Sequence, residues 1–152
     1  MELTEKQKEA VMKACTVEYQ NDIKKRKKMG QFFTPAPLVI KMIEKFEDLE
    51  GDFIDPCAGN GNLLVGLIAA GVSPNNIYYN ELDVNEFAAG KERLMKLGVP
   101  ESHFTNFDVL SDEFEQYYEN AWMRVIMNPP YKGNLHLKIL SKIIEIFQKK
   151  IL

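Results

Sequence analysis

The sequence predicts a Rossmann-like α/β fold, with a mainly parallel sheet that carries helices on both faces. Short apolar segments alternate along the chain with longer segments whose apolar residues recur at helical spacing. A glycine-containing turn at 59–61 follows one short apolar segment and precedes a helical one. Strands that alternate with helices are joined by right-handed crossovers, so the strands run parallel.

The first part of the chain predicts two helices. Residues 3–28 are rich in Glu, Lys, Gln and Ala and contain no Gly or Pro, which favours one helix that Gly30 ends. Residues 31–37 include two prolines, so they cannot be helical throughout. Apolar residues from Leu38 to Phe46 then recur at helical spacing and predict the second helix.

From Asp52 onward the pattern predicts strands in alternation with helices. Glycines follow two of the helical segments, as is typical of helix ends. The predicted order is a strand at 53–55, a helix over 62–70, a strand at 77–80, a helix over 85–97, a strand at 104–107, a strand at 122–127 and a helix from Leu137 to Ile151. No internal repeat or low-complexity segment interrupts this order.

The composition is that of a globular domain, with 45% hydrophobic and 27% charged residues in 152. No apolar run approaches the roughly 20 residues of a membrane span, and the N-terminus lacks the apolar stretch of a signal peptide. We therefore expect a cytoplasmic protein without a membrane partner. The two cysteines and two histidines have no ligand-like spacing, so no metal site is predicted.

The net charge of −3 argues against a protein that coats nucleic acid by bulk electrostatics, but it permits a local basic patch. Residues 24–28, Lys-Lys-Arg-Lys-Lys, are a candidate for such a patch. Basic side chains also suit the last turn of a helix, where they stabilise its dipole. Both interpretations stay open.

Three acidic residues, Asp55, Glu81 and Asp108, follow three of the predicted strands. The carboxyl ends of parallel strands meet at one edge of a sheet, where ligands bind. The turn at 59–61 allows close approach of backbone, but it lacks the Lys-Ser/Thr pair of a phosphate loop and the third glycine of the dinucleotide pattern. Alone, Glu81 is equally well explained as an acid near a helix N-terminus. Together the three acids predict a nucleoside ligand with an amino-acid tail and no phosphates.

Residues 128–131, Asn-Pro-Pro-Tyr, follow the apolar segment Val-Ile-Met. The two prolines force extended geometry, so the Pro129 carbonyl and the Asn128 side-chain oxygen are predicted to lie side by side as acceptors. Two such acceptors suit a planar NH2 group and favour electron density on its nitrogen. Tyr131 adds an aromatic face on which a planar group can stack. A proline-rich strand end would explain neither the Asn nor the Tyr.

These motifs carry a resemblance to a known family. Residues 55–61, Asp-Pro-Cys-Ala-Gly-Asn-Gly, resemble the S-adenosylmethionine-binding motif of class I methyltransferases, and residues 128–131 resemble the catalytic motif of amino-methyltransferases. Residues 30–35, Gly-Gln-Phe-Phe-Thr-Pro, are similar to the Phe-x-Thr-Pro segment of the gamma-type N6-adenine DNA methyltransferases. The resemblance extends from about Met29 to Leu140. It implies a class I methyltransferase domain at 30–152, and the composition predicts a helical segment at 1–29, outside the resemblance.

By this resemblance, the protein transfers a methyl group from S-adenosyl-L-methionine to N6 of a flipped adenine in double-stranded DNA, as part of a restriction–modification system. The segment at 32–35 and the turn after the first strand would lie at the methionine end of the cofactor. Glu81 would bind the ribose hydroxyls, with Leu82 against the adenine ring and Asp108 at its amino group. The implied cofactor-binding residues are Phe32, Phe33, Thr34, Pro35, Asp55, Cys57, Gly59, Gly61, Glu81, Leu82, Asp108 and Val109. The implied catalytic residues are Asn128, Pro129, Pro130 and Tyr131.

Other amino-methyltransferases share the same loop, so a release-factor glutamine methylase or an RNA base methylase remains an alternative, as does a non-enzymatic cofactor-binding fragment that acts with a partner chain. The family has a seven-stranded sheet and a target-recognition domain, so the resemblance implies a sheet truncated after about its fourth strand and a chain inactive alone. An uncovered strand at 122–127 predicts self-association through that region, or partial disorder of the loop at 129–134.

Overall fold

The computed structural model describes residues 1–16 and 34–148. This part of the chain contains six α-helices, four β-strands and two short 3₁₀ turns. In chain order they are α1 (Glu5–Cys15), α2 (Ala36–Ile43), β1 (Asp52–Asp55), α3 (Asn62–Ala69), a 3₁₀ turn (Pro74–Asn76), β2 (Ile77–Asn80), α4 (Val84–Lys96), a 3₁₀ turn (Glu101–His103), β3 (Phe104–Thr105), α5 (Asp112–Tyr118), β4 (Met123–Val125) and α6 (Leu135–Gln148). None of the described helices is long and apolar enough to cross a membrane.

The four strands form one sheet in the order β3-β2-β1-β4, and every pair is parallel. The register places Phe53 beside Ile77 on one side and beside Arg124 on the other. The chain therefore moves outward from β1 to β3 and then returns to the opposite side of β1. Such a return is a topological switch point, where open α/β sheets bind ligands.

Each face of the sheet packs against its own helices. Phe53 and Tyr79 lie in a core with α1, α2 and α3, whereas Ile54 lies in a second core with α5 and α6. Neighbouring residues of a strand point to opposite faces, so both cores draw on the same short strands. Burial of each such large apolar side chain contributes about 1.5–3 kcal/mol. The predicted arrangement, a parallel sheet with helices on both faces, is confirmed.

The helix predicted over 3–28 is wrong in its extent. The observed helix α1 covers only Glu5–Cys15. Thr4 is its N-cap, and the side chains of Thr4 and Gln7 form a capping box. Thr16 is extended, with φ −78° and ψ 105°, and its hydroxyl donates to the carbonyl of Met12. The rest of the predicted helix and the basic segment 24–28 lie outside the described residues.

Sequence patterns also missed α5 and overestimated two strands. α5 has one turn of apolar residues, Phe114 and Tyr118, after the N-cap Ser111. The third strand covers Phe104–Thr105 rather than 104–107, and the backbone N–H and carbonyl of Phe107 are bonded to the side-chain amide of Asn80 instead of a neighbouring strand. The fourth covers Met123–Val125 rather than 122–127. It pairs only with β1, so it is an edge strand of the described sheet.

Candidate functional site

A cavity of about 350 Å³ lies at the carboxyl edge of the sheet. Its size is that of a pocket for a small molecule. The residues of its wall come from the segment before α2, the end of β1, the loops after all four strands, and the helices α3, α4 and α6. They are Thr34, Asp55, Pro56, Cys57, Ala58, Gly59, Asn60, Asn62, Leu63, Glu81, Leu82, Asp83, Glu86, Asp108, Val109, Leu110, Asn128, Pro130, Leu135 and Ile139.

The structure brings most of the sequence-predicted site residues to this one cavity. Those in its wall are Thr34, Asp55, Cys57, Gly59, Glu81, Leu82, Asp108, Val109, Asn128 and Pro130. Pro35, Gly61, Pro129 and Tyr131 do not contribute to the wall. Phe32 and Phe33 lie outside the described residues. The role of each residue toward a ligand stays a prediction.

Asp55 is a buried carboxylate at the end of β1, and only 2% of its surface is exposed. One of its oxygens accepts a hydrogen bond of 3.0 Å from the Cys57 N–H. Burial raises the pKa of Asp55 well above its ordinary value, and the nearby Glu81 carboxylate raises it further, while the Cys57 N–H acts in the opposite direction. A buried carboxylate in this state would be stabilised by a cationic ligand.

Glu81 follows β2 and connects the loop after β1 with the loop after β2. Its Oε1 accepts from the Gly59 N–H at 2.9 Å, and its Oε2 accepts from the Asp83 N–H at 2.8 Å. Burial raises the pKa of Glu81, and these two backbone donors partly offset the effect. Each carboxylate oxygen can accept a second hydrogen bond, so Glu81 retains acceptor capacity toward the cavity.

Tyr79 and α4 both contact the glycine turn at 59–61 that follows β1. The Tyr79 hydroxyl lies 2.5 Å from the Gly59 carbonyl and 3.0 Å from the Glu86 carbonyl, both acceptors for its hydrogen. Gly59 and Gly61 have φ of +54° and +81°, which favours glycine at both positions. A Cβ at Gly90 would lie 2.3 Å from the Tyr79 hydroxyl and 2.7 Å from the Gly59 carbonyl oxygen. The turn and α4 therefore approach as closely as a glycine permits.

The prediction overlooked Asn80, a buried polar residue at the end of β2. Its amide N–H groups donate to the carbonyls of Pro56 and Phe107, and its oxygen accepts from the Phe107 N–H and the Thr105 hydroxyl. Asn80 thus fixes the loops after β1 and β3 relative to each other. A polar side chain in an otherwise apolar strand is a signal for such a role, because a buried amide needs partners.

Asn128 follows β4 and contacts the segment before α2. Its side-chain N–H donates to the Thr34 hydroxyl at 3.2 Å, although 94 residues separate the two in the chain. Thr34 itself is buried. With its NH2 group held in this way, the amide presents its oxygen as an acceptor, as the predicted contact with a planar amine requires.

Tyr131 lies on the same loop and is more than half exposed. Its ring centroid is 5.1 Å from that of His136, with 41° between the planes. The contact packs one side of the tyrosine ring against the first turn of α6. An aromatic face next to the cavity is suited to stacking, as was predicted for a planar target group.

Three acidic side chains lie around Cys57 in the cavity wall. Burial raises the pKa of the Cys57 thiol, and the carboxylates of Asp55, Glu81 and Asp108 each raise it further. All three acids are therefore close enough to influence the Cys57 thiol. Their carboxylates would repel a ligand that carries phosphate groups. Sequence reasoning placed these acids at successive strand ends, and their convergence is now visible in the structure.

The fold and the site define a Rossmann-like α/β protein with an acidic ligand cavity at its switch point. The chain belongs to the N-6 DNA methylase family, whose model matches residues 18–145. The Type II methyltransferase M.VspI from Vibrio sp. (strain 343) is 31% identical over 116 residues, which are 74% of this chain and 28% of M.VspI. The chain thus spans little more than a quarter of that relative.

Two solved structures are also similar. A protein from Pyrococcus horikoshii, PH1948, provisionally assigned as an RNA methyltransferase, superposes with a TM-score of 0.69 at 22% identity, over 95% of this chain and 69% of that one. This similarity confirms the methyltransferase-type fold and concerns the fold alone. The type IIG restriction endonuclease BpuSI matches with a TM-score of 0.47 at 26% identity, over 71% of this chain and 14% of that one.

Proposed function

We propose that this chain forms the S-adenosylmethionine-binding and catalytic part of an N6-adenine DNA methyltransferase of a restriction–modification system. Membership of the N-6 DNA methylase family supports the reaction, and the similarity to a Type II methyltransferase supports the biological setting. Double-stranded DNA is the proposed substrate of the whole protein. The following arguments concern what the residues of this chain contribute.

The cavity fits the proposed cofactor in three respects. Burial raises the pKa of Asp55, and a cationic ammonium group beside it would stabilise the carboxylate form. Glu81 retains acceptor capacity for ribose hydroxyls, and Asp108 lies in the wall for an adenine amino group. The side-chain Nδ2 of Asn60 is buried in the same wall without a partner among the described residues, so it offers a donor to a carboxylate. A ligand with a cationic amino-acid tail and no phosphate satisfies all of these groups.

The target amine is proposed to bind between Asn128 and Tyr131. The Asn128 oxygen and the Pro129 carbonyl would accept its two hydrogens, and Tyr131 would stack on the base. S-adenosylmethionine, when bound, supplies an electrophilic methyl group. The residues of this chain orient the amine and keep density on its nitrogen, so their contribution is positioning rather than covalent chemistry.

One observation carries the proposal: Asp55, the last residue of β1, and Asn128, three residues after the neighbouring strand β4, line the same cavity. A target amine at Asn128 and the amino-acid end of a ligand at Asp55 would therefore share this cavity of about 350 Å³. The transfer of a small group between two ligands needs this proximity.

A methyl-transfer assay tests the proposal. The full-length protein is incubated with tritiated S-adenosylmethionine and one of three acceptors: unmethylated plasmid DNA, total RNA or a purified release factor. We expect label in DNA, recovered as N6-methyladenine after digestion. Label in RNA or in the release factor would instead establish one of the alternative substrates, and binding of cofactor without transfer would favour a non-enzymatic cofactor-binding fragment.

We further propose that the β4 side of the described sheet takes part in association between copies of the chain. β4 pairs on one side only, and Trp122 beside it is 71% exposed. Leu137, Leu140 and Ile144 of α6 are exposed as well. Sedimentation velocity over a range of concentrations tests this, and a monomer at all concentrations would contradict it.

A further inference from the structure

A polar cluster extends from the cavity wall toward α1 and α4. Its centre is Asn62, the first residue of α3, of which only 4% is exposed. The Asn62 amide donates to the Thr34 carbonyl at 2.7 Å and to the Cys15 carbonyl at 3.1 Å. Its oxygen accepts from Arg93 Nη2 at 3.0 Å. All polar atoms of this side chain are therefore used within the protein.

Arg93 of α4 holds Asn62 in this orientation. The same guanidinium donates to the backbone carbonyls of Ala14 at 2.9 Å and Asn60 at 3.1 Å. Burial lowers the pKa of Arg93, and no carboxylate pairs with it among the salt bridges of the described residues. Arg93 is partly buried and has three neutral acceptors. Its fixed donors favour one orientation of the Asn62 side chain, with the oxygen toward Arg93.

Thr34 links this cluster to Asn128. Its carbonyl accepts from Asn62, and its hydroxyl accepts from the Asn128 amide at 3.2 Å. A displacement of the Thr34 backbone would move the hydroxyl and with it the Asn128 oxygen. An error of about 1 Å in a reacting group can cost on the order of 10²-fold in rate.

We propose that Asn62, held by Arg93, is a positioning residue for the target amine, because it fixes Thr34 and thereby the side-chain amide of Asn128. The inference rests on the proposed function, since it assigns Asn128 to the reacting amine. It adds to that function a specific path of contacts, Arg93 to Asn62 to Thr34 to Asn128. Neither Arg93 nor Asn62 touches the reacting atoms in this arrangement.

Three variants and one control test this path of contacts in the full-length protein. Thr34→Val removes the hydroxyl at nearly constant shape, whereas Thr34→Ser retains it. Asn62→Asp retains the acceptor toward Arg93 and loses both donors, toward Thr34 and Cys15. Lys96→Gln is the control, because Lys96 is an exposed residue of α4 whose ion pair is with Glu92 on the same helix.

We expect Thr34→Val and Asn62→Asp each to lower kcat for methyl transfer to unmethylated plasmid DNA by about tenfold or more, on the scale of a lost preorganised contact. The factor lost in kcat should exceed the factor lost in affinity for S-adenosylhomocysteine, because Thr34 and Asn62 line the cavity but the acids proposed to hold the cofactor are untouched. Thr34→Ser should recover kcat to within about threefold of the wild type, and Lys96→Gln should match it. A wild-type kcat in Thr34→Val, a loss confined to cofactor affinity, or equal defects in Thr34→Val and Thr34→Ser would overturn the inference.

A second readout does not depend on activity. The side-chain amide resonances of Asn128, assigned with Asn128→Asp in protein labelled with 15N-asparagine, should shift in Thr34→Val and stay in place in Thr34→Ser. If the wild type transfers no methyl group to any acceptor, the proposed function fails, and unshifted Asn128 resonances in Thr34→Val would then reject the path of contacts separately. If Asn62→Asp fails to fold, as a thermal melt would show, the Thr34 pair decides.

Discussion

The Glu81 carboxylate accepts a 2.9 Å hydrogen bond from the Gly59 backbone N–H, and this contact joins the end of β2 to the glycine turn after β1. Gly59 and Glu81 are 22 residues apart in the chain, and the contact adds to those that Tyr79 and Asn80 make with the same loop. Glu81 thereby shapes the cavity before any ligand is bound. The same carboxylate is predicted to bind ribose, so its two roles can be separated by experiment.

Glu81→Ala is expected to weaken binding of S-adenosylhomocysteine by about 1–3 kcal/mol, because ribose hydroxyls and the Gly59 N–H lose their acceptor. Isothermal titration calorimetry measures the change. Glu92→Ala is the matched control, since Glu92 is an exposed acid of α4 whose partner is Lys96. Equal affinities for wild type and Glu81→Ala would remove Glu81 from the binding site.

Asp55→Asn is expected to stabilise the unliganded protein near neutral pH and to weaken cofactor binding. The pKa of Asp55 is raised above its ordinary value of 3.8 in the folded protein. At a pH between 3.8 and the raised pKa, Asp55 binds fewer protons in the unfolded chain than in the folded chain. The contribution of Asp55 to stability therefore falls as the pH rises through this window. The neutral amide avoids that loss and can still accept from the Cys57 N–H.

Thermal melts of wild type and Asp55→Asn from pH 4 upward measure this difference. We expect the two melting temperatures to diverge with rising pH, by the equivalent of roughly 1 kcal/mol or more for a buried charge without a partner. Added S-adenosylhomocysteine should stabilise the wild type more than the variant. A constant difference at all pH values would show that the pKa of Asp55 is the same in the folded and unfolded chains.

Asn128→Ala is expected to reduce methyl transfer by ~10²–10³-fold while the affinity for S-adenosylhomocysteine stays nearly unchanged. The reason is that the Asn128 oxygen serves the target amine and not the cofactor. Single-turnover transfer of tritiated methyl to DNA measures the rate. Asn85→Ala, at an exposed position in the first turn of α4, serves as control. Normal transfer by Asn128→Ala would mean that the loop is structural.

Gly90→Ala is expected to displace the glycine turn. The added methyl would lie 2.7 Å from the Gly59 carbonyl oxygen, which is backbone and cannot rotate away. Overpacking of this kind costs about 1–3 kcal/mol of stability, and we expect weaker binding of S-adenosylhomocysteine as well. Gly66→Ala in α3 is a useful comparison, because it crowds the core beside Val39 instead of the turn.

Tyr79→Phe combined with Gly90→Ala isolates the contribution of the tyrosine hydroxyl to the crowding of the added methyl. The phenylalanine removes the hydroxyl at 2.3 Å but leaves the ring carbon Cε2 and the Gly59 carbonyl oxygen, both at 2.7 Å, in place. The double variant should therefore recover stability only in part and should remain weak in binding. Full recovery of both would show that the tyrosine hydroxyl alone limits the approach of α4.

Local patterns were sufficient to predict the acids at the strand ends and the loop at 128–131. Each of these signals lies within a few residues of an apolar strand, so periodicity and turn chemistry locate it. The parallel sheet with helices on both faces follows from the alternation of elements. α5 escaped prediction because Phe114 and Tyr118 provide only one turn of apolar spacing.

Contacts between distant residues were beyond such patterns. The link between Thr34 and Asn128 spans 94 residues, and nothing near either residue indicates the other. Arg93 lies in the last turn of α4, where a basic residue is expected in solvent, yet its guanidinium is enclosed by three backbone and side-chain acceptors. Burial of that kind depends on how α1, α3 and α4 meet in space.

The carboxyl and amino ends of the parallel strands differ in their relation to the cavity. Every loop at the carboxyl edge contributes to the cavity, whereas the turns that lead into β1, β2 and β3 lie at the opposite edge and contain Gly51, Gly71 and Gly98, all with positive φ. A Cβ at Gly51 or Gly71 would meet nothing within 4 Å. Extra segments can therefore enter the chain at the amino edge without touching a ligand. A fluorescent reporter inserted at that edge should therefore leave the cavity intact.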